Sequence, residues 1–214
     1  MIYTCKEDKN HYKTTFAIFG FQYILVETEV DFRPEDFHAV AVYSDLERNG
    51  FFSSSTPLLD QFVENPVWSA KNNHAALPTD CPTGSATAGP EMPRHGATTI
   101  WESWEGKQAQ GGLASLNHYS TGAVVQWLFD TMCGIRVKPD NEFTVAPRPG
   151  GHFTHARAGY RSVYGLIESG WKKTETGWRF TITVPANCRA TVCLPDGSRH
   201  RQGPGTQVYP IEEA

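Results

Sequence analysis

From residue 142 to residue 197 the chain is cut by turn residues into short apolar bursts, and this punctuation restricts the fold more than anything else in the sequence. "EFTVAP", "HARAGYRSVYGLIESGWKKTETGWRFTITV" and "CRATVCLPDG" are rich in β-branched and aromatic residues, with Gly, Asn, Asp and Pro between the runs. A strand sends successive side chains to opposite faces, so a segment of this kind buries one face and wets the other. Several in succession predict a small antiparallel sandwich from 134 to 214.

Upstream the period changes twice. Residues 14 to 30, "TTFAIFGFQYILVETEV", and then "HAVAVYSD" have the composition of strands, and Asn49-Gly50 is a turn signal. Residues 1–54 are therefore expected to be an antiparallel β segment, the end of a sheet rather than a whole one. At Ser55-Thr56-Pro57 a helix begins, with Leu58, Leu59 and Phe62 on one face. Pro66 should kink it, Val67 and Trp68 should resume its apolar face, and it should end near "KNNH". "TGSATAGPEMPRHG", residues 83–96, is a Gly/Pro-rich linker. A second helix is expected over 118–133, where Val124, Trp127, Leu128 and Met132 share helical spacing and Gly134 stops it. The fold class is mixed α and β, mainly β: a β segment, a helical part over 55–133 with helices near 56–74 and 118–133, and a C-terminal sandwich.

Charge and composition narrow the function. The chain has 19 basic and 23 acidic residues in 214, without long runs, which points to neither nucleic acid nor an anionic membrane as partner. There is no apolar run of about 18 residues and no signal-peptide core at the start, so a cytoplasmic protein is expected. The five cysteines, Cys5, Cys81, Cys133, Cys188 and Cys193, are odd in number and show no C-x-x-C spacing. They read as reduced thiols rather than a disulfide framework or a zinc site. His152 and His155 follow Gly150-Gly151 with no Cys or carboxylate pair beside them, and read as a solvated loop. No dinucleotide fingerprint, phosphate loop or serine-nucleophile elbow occurs. No cofactor and no metal are expected.

The chemistry lies in "TTIWESWEGKQ", where Trp101 and Trp104 flank Glu102. Two readings stand. One is a buried tryptophan pair beside an exposed glutamate. The other is a sugar site, because indole faces suit the apolar faces of sugar rings and the carboxylate could move a proton at a glycosidic bond. "SLNHYS" adds Asn117, His118 and Tyr119, directional groups suited to sugar hydroxyls. His118 alone, and Asp80 alone in "PTDCP", read as structural: a lone histidine and an ordinary turn.

Together "FGFQYILVE", "VYSDLERNGFFSSSTPLLDQFVENPVWSAKNNHAALPTDCP", "GATTIWESWEG", "SLNHYSTGAVVQWLF" and "AGYRSVYGLIESGW" resemble the bacterial α-L-rhamnosidases, inverting hydrolases of terminal α-L-rhamnosyl linkages. The resemblance implies a β-sandwich, a barrel of paired helices holding the site, and a C-terminal sandwich. Residues 1–54 then match the end of the domain before the barrel, 55–133 a remnant of the barrel, and 134–214 the C-terminal sandwich. It implies that Glu102 is the general base, that Asp80 and His118 bind sugar, and that Trp101 and Trp104 wall the pocket. The partner would be a rhamnose-containing glycoside.

The chain also departs from that pattern. In the family "PTDCP" continues into Arg-Glu-Arg and Gly-Trp-Thr-Gly-Asp and then most of the barrel; here it continues into "TGSATAGPEMPRHG". The general acid is thereby expected to be missing. Glu91 follows "AGP" rather than the expected arginine and is not assigned that role. An inactive or impaired hydrolase is expected, and a non-catalytic carbohydrate-binding or structural remnant is the alternative. The helices, deprived of barrel neighbours, are expected to pack on each other, on β-structure, or in a homo-oligomer.

Overall fold

A computed structural model describes residues 2–7, 9–14, 18–21, 23–75, 77–78, 91–103, 105–106, 108, 111, 114–139 and 141–212. The chain divides into two units, Met1–Val42 and Tyr43–Ala214.

In the first unit the described residues form one short 3-10 turn, Pro34–Asp36, closed by the Arg33 amide donating to the Asp36 carboxylate at 2.9 Å. The strands expected here do not form among the described residues. Tyr23 and Leu25 remain 90% and 84% exposed. Alternating apolar residues supply one face of a sheet, but a strand persists only where a neighbour completes its ladder.

In the second unit the largest sheet is antiparallel and five-stranded, and its first strand comes from before the helices. Strand β1 (Gly50–Ser54) pairs with β6 (His155–Ser162), which leads through β7 (Gly165–Thr174) and β8 (Gly177–Val184) to β11 (Gly205–Glu212). The sequence grouped residues 50–54 with what precedes them. Their ladder runs instead from Gly50 opposite Tyr160 to Ser54 opposite Ala156. A four-stranded sheet packs against it, in the order β10 (Arg199–Gln202), β9 (Arg189–Cys193), β5 (Glu142–Val145), β4 (Ile135–Val137). There β5 and β9 are parallel, since the chain leaves after β5 to build β6 to β8 and returns beside it in the same direction. Ile167, Trp171, Phe180 and Ile182 from one sheet and Phe143, Val145, Ala190 and Val192 from the other are buried in one core. Each large aliphatic or aromatic side chain among them contributes about 1.5–3 kcal/mol.

Helix α1 (Pro57–Asn72) begins where expected. Pro57 sets its first turn, and the Ser54 hydroxyl accepts the Thr56 amide and donates to Asp60 at 2.9 Å. Arg48 forks onto Glu64 with two 2.8 Å contacts and also reaches the Gly50 carbonyl, fixing the approach to β1. A two-residue ladder follows, β2 (His74–Ala75) with β3 (Leu77–Pro78), and then a short helix α2 (Glu91–Arg94).

The second long helix is irregular. It is 3-10 over Tyr119–Val125 and widens to a π turn over Leu128–Met132. Close packing at both ends explains this. A Cβ on Gly122 would lie 2.7 Å from Pro66 Cβ, so α1 presses on the backbone here. At the other end the Trp171 indole donates to the Met132 carbonyl and the Ser169 hydroxyl to that of Cys133, satisfying carbonyls orphaned at the helix terminus. Gly134, at φ +76, passes so close to the Ala146 backbone that no Cβ fits. Leu128 and Met132 are buried as expected, whereas Val124 and Trp127 are 47% and 55% exposed. The apolar face is narrower than the spacing suggests. A groove of about 890 Å³ opens beside it, lined by Val63, Pro66, Val67, Ala70, Ala123 and Phe129 among others.

Candidate active site

Three polar side chains stand four residues apart on or just past α1: Asn65, Ser69 and Asn73. That spacing aligns them on one helix face. Asn65 and Ser69 are 2% and 0% exposed, so each needs a partner, and each finds one in the loop around Trp101. Asn65 donates to the Ala97 carbonyl at 3.1 Å, and Ser69 accepts the Ile100 amide at 2.8 Å. Asn73 donates to the Asn117 carbonyl at 3.1 Å while capping α1 through the Ser69 carbonyl. These three residues are not among those the sequence predicts for the site. Their signal was there, as polar residues at helical spacing beside an apolar stripe.

Held this way, the segments 97–102 and 115–118 lie side by side and antiparallel. The His118 amide donates to the Ile100 carbonyl at 2.7 Å, and the Thr99 hydroxyl donates to the Leu116 carbonyl at 2.6 Å. Glu102 and Ser115 make a reciprocal pair. The Glu102 amide donates to the Ser115 carbonyl at 2.9 Å, and the Ser115 amide donates to Glu102 Oε2 at 2.8 Å. Oε1 has no hydrogen-bond partner among the described residues. One carboxylate oxygen of this half-buried side chain is thus oriented by the backbone.

Trp101 is half-buried against the core and covers Gly106. Gly106 sits at φ +55, and a Cβ there would come within 2.9 Å of the indole, so only glycine permits the contact. His118 is 3% exposed and precedes the 3-10 turn. Asn117 Oδ1 is buried without a hydrogen-bond partner among the described residues. Asp80 and Trp104, the remaining candidates from the sequence, and Cys81 lie outside the described residues. No cluster of three His, Cys, Asp or Glu able to hold a metal occurs among the described residues. No described helix is long and apolar enough to cross a membrane.

Two family matches fall on these parts of the chain. The bacterial alpha-L-rhamnosidase 6 hairpin glycosidase domain matches residues 91–132, and the bacterial alpha-L-rhamnosidase C-terminal domain matches residues 141–208. The chain belongs to the bacterial α-L-rhamnosidase family. An alpha-L-rhamnosidase of Streptomyces avermitilis is 34% identical over 119 residues, which is 50% of this chain and 12% of that protein. One from Formosa agariphila is 34% identical over 108 residues, again 12% of its length. Among solved structures, the α-L-rhamnosidase of Dictyoglumus thermophilum superposes with a TM-score of 0.52 at 27% identity, covering 58% of this chain and 17% of that one. The Streptomyces avermitilis enzyme in complex with L-rhamnose gives 0.50 at 29% identity, covering 56% and 14%. This rhamnosidase-family chain thus spans about an eighth of the curated relatives it matches.

Proposed function

We propose that the chain carries the water-activating half of an α-L-rhamnosidase centre, with Glu102 as general base, and that alone it turns over little or no rhamnoside. The observation behind this is the Glu102–Ser115 pair, which orients one carboxylate oxygen and leaves Oε1 for a water. In an inverting hydrolysis that water gives its proton to the base as its oxygen attacks the anomeric carbon opposite the leaving group. A carboxylic acid roughly 6.5–9.5 Å away gives its proton to the departing oxygen. Trp101 and Trp104 form the pocket walls, and Asp80 and His118 bind the sugar. Asn117 Oδ1, buried without a hydrogen-bond partner among the described residues, accepts a hydrogen bond from a sugar hydroxyl.

The sequence between "PTDCP" and Trp101 lacks the segment that would bring the acid. General acid–base catalysis contributes about 10²–10⁴-fold, and positioning by the rest of the barrel contributes more. The test is turnover of an aryl α-L-rhamnoside by the full chain beside Glu102→Gln, with L-rhamnose titrated calorimetrically into both. The expected result is rhamnose binding with equal, negligible turnover. Turnover by the wild-type chain well above that of Glu102→Gln would disprove the missing acid, and absence of rhamnose binding would remove the sugar site altogether.

The localisation we propose is cytoplasmic, supported by Cys5, Cys133, Cys188 and Cys193 all being free thiols. The exposed indoles of Trp68 and Trp127 support self-association through the helix faces. Sedimentation showing a monomer at all concentrations would rule that out.

A further inference from the structure

The outer face of the five-stranded sheet holds a depression of about 560 Å³, rimmed by charged and hydroxyl side chains. Strand register sets what lines it. His155 lies opposite Lys172, and Lys172 opposite Arg179, so one row across β6, β7 and β8 carries a histidine and two cations. Two positions along, Arg157 lies opposite Gly170 and Gly170 opposite Thr181. Two further, Glu168 lies opposite Thr183, which faces Thr206 on β11. Gly170 therefore sits at the middle of the face and leaves it hollow. A Cβ there would press to 3.2 Å from that of Arg157.

The charges do not balance within this face. Directly opposed side chains on an antiparallel pair have Cβ atoms about 4.5–5.5 Å apart, where like charges destabilise. Glu168 is taken by Arg157 at 2.6 Å. The side chains of Lys172 and Arg179 make no ion pair or hydrogen bond among the described residues. Two opposed cations beside a hollow are what an oxyanion would offset, and a guanidinium matches the planar geometry of a carboxylate. The face is completed by the exposed Thr181 and by Thr183 and Thr206, whose hydroxyls bond each other at 2.8 Å, with no exposed aromatic anchor of the kind that centres protein interfaces.

We propose that this face binds an oxyanion-bearing saccharide, with its carboxylates or sulfates against Lys172 and Arg179 and its hydroxyls against the threonines beside Gly170. The inference is independent of the role given to Glu102. The test is calorimetric titration of the full chain, at low and moderate salt, with a galacturonate trisaccharide, with the neutral maltotriose and with sodium sulfate alone. The galacturonate trisaccharide is expected to bind at least tenfold more tightly than either control and to weaken as salt rises. It should weaken at least tenfold in the Lys172→Thr/Arg179→Thr double variant. Equal binding by maltotriose, equal binding by sulfate, no binding of the trisaccharide, or unchanged binding in the double variant would each overturn it. Melting supplies a second check. Relief of repulsion should leave the double variant as stable as the wild type or more so, and a lower melting temperature would make these cations structural and overturn the proposal.

Discussion

The indole N–H of Trp171 donates to the carbonyl of Met132 at 2.9 Å, joining the middle of β7 to the last turn of the segment that follows the Glu102 loop. Trp171 is 2% exposed and stacks edge-on against Trp178 at 5.4 Å, so one side chain serves both the sheet core and the helix terminus. Trp171→Phe keeps most of the packing and leaves the carbonyl with the Arg148 amide alone, at 3.2 Å. A typical intramolecular hydrogen bond contributes about 0.5–1.5 kcal/mol net, and we expect a loss of that size in urea unfolding with the slope unchanged. A loss above about 2 kcal/mol would show that the Arg148 amide does not satisfy the carbonyl once the indole is gone.

Gly122 and Pro66 should behave as a coupled pair. Gly122→Ala pushes a methyl to 2.7 Å from the proline ring, and overpacking of this kind costs about 1–3 kcal/mol. Pro66→Gly removes the opposing Cβ and Cγ, so the double variant should recover part of that loss in a double-mutant cycle. Strict additivity of the two changes would place the strain elsewhere.

Asn117 Oδ1 is buried without a hydrogen-bond partner among the described residues, an arrangement that costs about 1–3 kcal/mol where no donor is supplied. Asn117→Leu removes it and is expected to raise the melting temperature by about 2–4 °C, as a gain near 1 kcal/mol does in a chain of this size. The same change should weaken L-rhamnose binding. A variant that melts lower and binds unchanged would make the residue purely architectural.

Cys133 is fully buried at the helix end, and burial pushes its thiol from an ordinary 9.0 up to about 12. The folded state therefore holds this proton more tightly than the unfolded chain. Stability from this source is whole below pH 9 and falls as pH rises from there towards 12. Cys133→Ala should be less stable near neutrality through lost packing, yet decline less steeply from pH 9 upward. Parallel pH profiles in chemical denaturation would contradict the burial argument. For the same reason Cys133 should resist alkylation that the exposed Cys5 accepts.

Much of the architecture can be read in the residues themselves. Alternation in "GWRFTITV" puts Phe180, Ile182 and Val184 on one face whatever lies opposite, because a strand's side-chain period is two. Pro57 after Thr56 starts α1 by restricting its own φ, and Gly134 stops the second helix by a conformation other residues resist. Glu102, Trp101 and His118 were legible as a cluster because they are near in sequence and chemically distinctive. These are local properties, decided within a few residues.

Tertiary structure decided what depends on partners distant in the chain. Residues 50 to 54 become a strand because β6 completes their ladder, whereas the described residues among 14 to 30 form none. Whether Trp127 is buried turns on what packs over it, which its spacing cannot report. The orientation of the Glu102 carboxylate comes from the Ser115 amide, and the seating of its loop from Asn65, Ser69 and Asn73. The four-residue spacing of Asn65, Ser69 and Asn73 marks a polar helix face, but the amides and carbonyls it meets lie tens of positions away, and that geometry exists only once the backbone has closed.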